Sequence, residues 1–257
     1  MDPLEVAITV YSEPDIAGIR RASKVAAATL EEVGARLRPG ITTAMIDRWV
    51  REDTRLRGGK PSQLGYHGFP ASVCTSRNEV ICHGIPSDAV VLAAGDIVNV
   101  DVTTEFEGFH GDTSKTFLIG EVRPAARRLV EVTQEARDAG IAVVRPGARL
   151  GDIGAAIVAC ARRSGFDVVT GYGGHGIGRK MHEDPHISHV ARAGTGLRLR
   201  RGMCFTVEPM LTEGSARHRL LGDGWTVVTA DGGWSAQCEH TVCVTEDGVE
   251  VLTCPSR

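Results

Sequence analysis

Asp101, Asp112, His175, Glu208 and Glu239 are the residues of this chain whose types could do chemistry together. Four carboxylates and one imidazole make a hard, oxygen-rich donor set. Such a set suits a pair of divalent cations better than a single one. Two cations held close together activate a water and polarise a carbonyl at once. The five are spread over more than half of the sequence, and each falls in a segment that reads as a strand, a strand edge or a glycine loop. If they converge in space, they describe a two-metal hydrolytic centre.

Each position has a plainer reading when taken alone. Asp101 follows mostly apolar strand positions, Ile97-Val98-Asn99-Val100, and an unpaired buried carboxylate there costs several kcal/mol. Asp112 lies eleven residues on, across a turn at Glu105-Phe106-Glu107-Gly108, so an antiparallel hairpin brings both carboxylates to one end of a sheet. The two read equally well as turn-capping aspartates. His175 sits in Gly171-Tyr172-Gly173-Gly174-His175-Gly176-Ile177-Gly178, where the glycines let backbone approach a ligand closely. The run lacks the signatures of a phosphate loop, and a lone histidine in such a loop is more often structural. Glu208 ends the apolar run Cys204-Phe205-Thr206-Val207, and Glu239 is read as a mid-strand carboxylate that wants a partner.

Helices and strands must position these groups. Ser12, Pro14 and Asp15 predict a helix start, and Pro39-Gly40 a stop after about Leu37. A second helix is predicted over about Thr43 to Leu56, a third from Pro124 to about Val144, and a fourth over roughly Gly151 to Ser164. Gly58-Gly59-Lys60-Pro61 reads as a loop. Val73-Cys74-Thr75 and Val80-Ile81-Cys82 read as a hairpin around Arg77-Asn78-Glu79. Strands are expected over Ile97–Val102, Thr113–Ile119, Gly171–Gly178, Met203–Met210, Trp225–Thr229, Ala236–Val244 and Val249–Leu252. Arg38-Pro39-Gly40 and Arg145-Pro146-Gly147 each join two helices, 107 residues apart, with Ile46 and Ile153 in the same register. The doubled order of helix, RPG, helix and strands predicts two related halves, whose seam is a natural place for a shared site.

At 257 residues and 42% hydrophobic, the chain can bury one large core. A net charge of −3 gives no sign of a nucleic-acid partner. No apolar run reaches membrane length, and the N-terminus does not read as a signal peptide, so the expected compartment is the cytoplasm. The seven cysteines include no CxxC pair, which argues against a disulfide framework or a zinc ribbon.

The strings Tyr66-His67-Gly68-Phe69-Pro70, Asn78-Glu79-Val80-Ile81-Cys82-His83-Gly84-Ile85-Pro86, Gly174-His175-Gly176-Ile177-Gly178, His182-Glu183-Asp184-Pro185, Glu208-Pro209-Met210 and Glu239-His240-Thr241 resemble the type I methionine aminopeptidases. The match runs in order over nearly the whole chain. The resemblance implies an α+β, pita-bread fold: one catalytic domain over 1–257, with pseudo-symmetric halves of roughly 13–120 and 121–257 whose helices pack on a curved antiparallel sheet. It implies that Asp101 chelates one metal, that Asp112 and Glu239 bridge two, and that His175 and Glu208 bind the second, around a shared activated water. The two ions would be Co, Mn, Fe or Zn. Catalytic roles fall to His83, which contacts the substrate near the scissile bond, to His182, which stabilises the carbonyl oxygen, and to Glu208, which shuttles a proton. Taken alone, His83 and His182 read as solvent-facing loop histidines.

The methionine pocket would be built from Tyr66, Phe69, Cys74, Met181 and Trp225, with His67 beside it and His83 and His182 at its mouth. Gln63 and Met181 depart from the best-known pattern, which often has cysteine and phenylalanine there. Asn78, Val80 and Ser235 match a loop that binds a monovalent cation in some members. The chain opens almost directly on its first helix, which resembles the short bacterial form without a zinc-finger extension or helical insert. The implied partners are nascent N-termini that begin with Met and a small residue, with a transient ribosome contact and a monomeric state. Two rivals share the fold: a prolidase or Xaa-Pro aminopeptidase, and a non-catalytic binding protein. The first usually carries an extra N-terminal domain and the second loses ligands, whereas this chain keeps all five.

Overall fold

The computed structural model describes residues 8–254. In chain order its first elements are α1 (Glu13–Gly34), α2 (Thr43–Leu56), β1 (Lys60–Pro61), a single 3₁₀ turn at Tyr66–Gly68, β2 (Cys74–Arg77), β3 (Val80–Cys82), β4 (Ile97–Phe106) and β5 (Phe109–Leu118). There follow α3 (Pro124–Ala142), α4 (Leu150–Arg163), β6 (Asp167–Val168), β7 (Gly173–Gly176), β8 (Glu183–Ser188), β9 (Cys204–Val207), β10 (Met210–Thr212), β11 (His218–Leu220), β12 (Val227–Thr229), β13 (Ser235–Gln237), β14 (His240–Val244) and β15 (Val249–Val251). All the strand pairings are antiparallel. No helix among the described residues is long and apolar enough to cross a membrane.

The helices form where the sequence signals them. Ser12 caps α1 by accepting the Asp15 N–H, and Ile16, Ile19, Ala26, Leu30 and Val33 recur at helical spacing on its buried face. The helix stops at Gly34, not Leu37. Arg36 and Leu37 donate instead to Val33 and Gly34 in tighter turns, at 3.0 and 3.2 Å. The downstream Pro39 biases Arg38 away from helical geometry. Thr42 caps α2 through the Met45 N–H. α1 lies close on β5 because residue 111 is glycine: a Cβ there would collide with the backbone of Ala22 and Ser23.

β4 and β5 form a ten-residue hairpin around Glu107-Gly108, both at positive φ, the backbone of a tight hairpin turn. The strands run further than the sequence pattern suggests. Asp101 and Asp112 therefore lie in mid-ladder on one face rather than at a sheet end: Asp101 opposes Ser114, and Asp112 opposes Thr103. β2 and β1 flank β4, so part of the Gly58–Pro61 loop is an edge strand. The expected hairpin of β2 with β3 does not form: β2 pairs with β4 and β3 with β12. Asn78, at φ 51, turns the chain between them and ties its side chain to Asp96 and to the Ile97 N–H, at 2.8 and 3.0 Å.

The second sheet runs β15-β14-β9-β7-β8 under α3 and α4. Its backbone contacts echo the first half at the RPG spacing. Gly40 donates to the Leu92 carbonyl at 2.7 Å, and Gly147 to that of Leu199 at 2.9 Å. The isolated bridge Thr42–Val91 recurs as Arg149–Arg198. In the same register Asp101 at the middle of β4 corresponds to Glu208 at the end of β9. β5 meets β14 and β13 at a seam, where Asp112 exchanges hydrogen bonds with Thr241 of β14, and Thr116 with Gln237 of β13.

Candidate metal centre and substrate cavity

At this seam the five expected ligands line one cavity of about 300 Å³. Asp101 and Asp112 come from β4 and β5. His175 comes from β7, which is narrow enough to place it only because its neighbours are glycines: a Cβ at Gly174 would collide with the Thr206 carbonyl. Glu208 and Glu239 occupy two-residue breaks, between β9 and β10 and between β13 and β14. Glu239 is thus at a strand junction and not mid-strand. One donor atom each from Asp112, His175 and Glu239 lies within 4.8 Å of the others. His175 Nε2 stands 3.7 Å from Asp112 Oδ2 and 3.6 Å from Glu208 Oε1.

The surroundings aim these groups. His175 Nδ1 lies 3.1 Å from the Gly176 carbonyl oxygen, so Nδ1 carries the proton and the Nε2 lone pair faces the carboxylates. Thr206 donates to Glu208 Oε1 at 2.7 Å and accepts the His175 N–H at 2.9 Å, joining two ligands through one hydroxyl. Gln237 donates to Glu208 Oε2 at 3.2 Å. Gln63 Nε2 donates to the Asp101 carbonyl at 2.9 Å.

The electrostatics favour a cation. Asp101 Oδ1, Asp112 Oδ1 and Glu239 Oε1 are buried without a hydrogen-bond partner, a condition that costs free energy unless a cation compensates it. Among the described residues that line the cavity there is no lysine or arginine. Burial, reinforced by the neighbouring carboxylates, pushes Glu208 up to about 8 and Asp101 and Glu239 well above the usual range. Burial alone lifts Asp112 to about 6. It also drives His175 down to about 3, helped by nearby His182, which leaves a neutral imidazole suited to ligation. The donor set therefore fits divalent cations.

Much of the remaining lining is apolar or aromatic. Tyr66, Phe69, Cys74, Met181 and Trp225 line the cavity as expected, and Gln63 lines it beside them. Phe69 and Trp225 meet edge to face with centroids 5.1 Å apart. His83, at φ 55, and His182 stand at the mouth. Nδ1 of His182 is 2.8 Å from the Tyr66 hydroxyl, and its ring lies 4.1 Å from that of His175. His182 is exposed as a whole, but the cavity desolvates its ring, and with the neighbouring histidines this lowers it to about 4; burial also lowers His83. His67 is the exception: it is exposed, packs edge-on against Tyr66 at 4.3 Å, and does not line the cavity. Asn78 and Ser235 are brought together, with the Asn78 carbonyl accepting the Ser235 N–H at 2.8 Å.

Sequence reasoning passed over Thr103, Tyr172, His186, Met210 and Gln237, all of which line the cavity, and Thr206 behind it. A period of two along a strand would have found several of them. Thr103 is two residues from Asp101, Thr206 and Met210 two from Glu208, and Gln237 two from Glu239.

Comparison with known proteins agrees with this geometry. The chain is 51% identical to methionine aminopeptidase A of Synechocystis sp. over 246 residues, 96% of this chain and 97% of that protein. It is 49% identical to the methionine aminopeptidase of Salmonella typhimurium over 249 residues, covering 96% and 94%. The crystal structure of methionine aminopeptidase from Rickettsia prowazekii superposes with a TM-score of 0.95 at 46% identity, covering 96% of this chain and all of that one. A prolidase from Pyrococcus furiosus shares the fold at a TM-score of 0.79, with 20% identity, and this chain spans 66% of it. The profile of metallopeptidase family M24 matches residues 17–246, and with a donor set for divalent cations in place the chain belongs to that family.

Proposed function

We propose that this chain is a methionine aminopeptidase, removing the initiator methionine from polypeptides whose second residue is small. The observation that carries this reading is one cavity whose lining combines carboxylates and an imidazole with aromatic, thiol and thioether groups. The apolar part of the lining suits an unbranched sulfur side chain. In this reading Asp101, Asp112, His175, Glu208 and Glu239 hold two divalent cations, and a carboxylate–imidazole set accepts Mn, Fe, Co or Zn. When bound, the cations supply Lewis acidity that brings a water within reach of ionisation near neutral pH and draws charge from the scissile carbonyl.

The chain's own residues would do the rest. The Tyr66 hydroxyl, kept protonated by burial, can donate to Nδ1 of a neutral His182. The imidazole proton then sits on Nε2, which can donate to the carbonyl oxygen as it gains charge, an effect worth about 3 kcal/mol. His83 would hold the substrate beside the scissile peptide. Burial works against ionisation of Glu208 and bound cations work for it, leaving a carboxyl able to pass a proton to the leaving amine. A monovalent cation at Asn78, Val80 and Ser235 would have to use carbonyl oxygens, since both ends of the Asn78 amide are engaged. The halves 13–120 and 121–257 would act as one domain, since the ligands come from both. A nascent-chain substrate would place the enzyme in the cytoplasm, with ribosome contact through a small surface patch.

The test is release of methionine from Met-Gly-Met against release of the first residue from an Xaa-Pro peptide, with the enzyme loaded in turn with each metal. Cleavage of the first and not the second is expected. Efficient Xaa-Pro cleavage without methionine release would transfer the chain to the prolidase branch of the fold.

A further inference from the structure

The loop from Gly178 to Glu183 carries two groups of the cavity, Met181 and His182. Met181 is buried but His182 is exposed, so the backbone around His182 must be held from elsewhere. The holder comes from the segment ahead of α1. Tyr11 is buried, and its hydroxyl proton is shared by the two carboxylate oxygens of Glu183, at 2.8 and 2.7 Å. The same hydroxyl accepts the Arg179 N–H at 3.1 Å, while Glu183 Oε1 accepts the Lys180 N–H at 2.9 Å. Tyr11 is itself fixed, since its N–H donates to the Gly202 carbonyl at 2.8 Å. The fit is close: residue 178 is glycine, and a Cβ there would strike the Tyr11 phenol. Asp15, one turn into α1, binds the Arg179 guanidinium at 2.6 Å.

We propose that Tyr11 is a positioning residue for the hydrolysis: through Glu183 and the Arg179 amide it fixes the Gly178–Glu183 loop, and so the placement of His182 over the substrate. The inference rests on the assignment of methionine aminopeptidase activity. A charge-assisted hydrogen bond to a partly buried carboxylate is among the stronger ones. Displacing an oxyanion donor by about 1 Å can cost 100-fold in rate.

The test compares Tyr11→Phe, which keeps the ring and removes the hydroxyl, with the intact enzyme on Met-Gly-Met at full metal loading. A fall of about tenfold in kcat/KM is expected, with metal content unchanged. The decisive arm repeats Tyr11→Phe in a His182→Ala background, where the further loss should be under about twofold, because the group being positioned is gone. A merely structural lesion would cost the same in both backgrounds, and that result would overturn the proposal, as would a Tyr11→Phe enzyme within about twofold of the parent. Should Tyr11→Phe fail to fold, Glu183→Gln serves in the same two backgrounds with the same expectations. The histidine Cε1–H spectrum reads the loop without turnover: the His182 resonance should shift or broaden in Tyr11→Phe. That readout stands even if the parent enzyme proves to cleave a different peptide, whereas an unchanged resonance sinks the positioning role alone.

Discussion

Four carboxylates share one cavity with no lysine or arginine among its described lining residues, and this determines how the site answers to pH. Burial raises Asp112 from the ordinary 3.8 to about 6 and, with its charged neighbours, Glu208 from 4.5 to about 8. A carboxyl with a raised pKa in the fold binds its proton more tightly folded than unfolded. Its contribution to stability is full below the unfolded value and is lost as pH rises through the folded value. In excess chelator the melting temperature should therefore fall between about pH 5 and pH 8, by about 5 °C or more. Divalent cation should cancel most of the slope, since it stabilises the ionised carboxylates. A melting temperature that is flat or climbs over this range would show that the carboxylates ionise freely. His182 makes a different prediction, because it faces the cavity mouth without joining the carboxylate cluster. His182→Ala should lower kcat by about 100-fold or more while bound metal stays near that of the parent. Loss of metal on this substitution would make His182 a ligand.

At the scale of strands, Thr206 on β9 joins the chemistry to the scaffold. Its hydroxyl holds the Glu208 carboxylate and the His175 backbone at once. Thr206→Val keeps the shape and removes both bonds, so metal affinity should fall about 10- to 100-fold by titration calorimetry. Affinity within about twofold of the parent would mean that the strand alone aims the two ligands. Much of this element layer was legible beforehand. Ser12 caps α1, α2 spans Thr43–Leu56, and β4 carries its apolar run up to Asp101, as their local sequences imply. β8 was not legible. Its stretch Glu183–Ser188 includes Pro185, which argues against a strand except at an edge, and β8 lies at the edge of its sheet. The β2–β3 error has a different cause. Strand periodicity tells which face is buried and not which strand is the partner, and Asn78 redirects the chain by bonds to residues eighteen and nineteen positions away. His67 lies beside the pocket against Tyr66, in a turn where its own φ of 47 directs its ring out of the lining.

Over the whole molecule, ligands far apart in sequence meet where β5 packs against β13 and β14, and that seam predicts how the protein unfolds. Asp112 donates to Thr241 Oγ1 at 3.1 Å and accepts from it at 2.8 Å. Gln237 repeats the exchange with Thr116 at 3.2 and 2.7 Å. Asp112 to Gln237 and Thr116 to Thr241 are both steps of 125 residues, so the two exchanges mirror each other across the seam that β5 makes with β13 and β14. Each threonine hydroxyl satisfies one buried N–H and one buried carbonyl of the other half. Thr241→Val strands both Asp112 groups, and Thr116→Val strands the Gln237 N–H while Asn99 Nδ2 still donates to that carbonyl at 2.9 Å; each should cost about 1–3 kcal/mol. Because each lesion acts on the bond between halves, calorimetry should still show one transition, moved down by about 2–4 °C for each kcal/mol lost. The calorimetric and van't Hoff enthalpies should agree in the parent and in both variants. Two resolved transitions in the parent would mean that residues 13–120 and 121–257 fold as separate domains. The metal centre would then be an interface that each half must complete for the other.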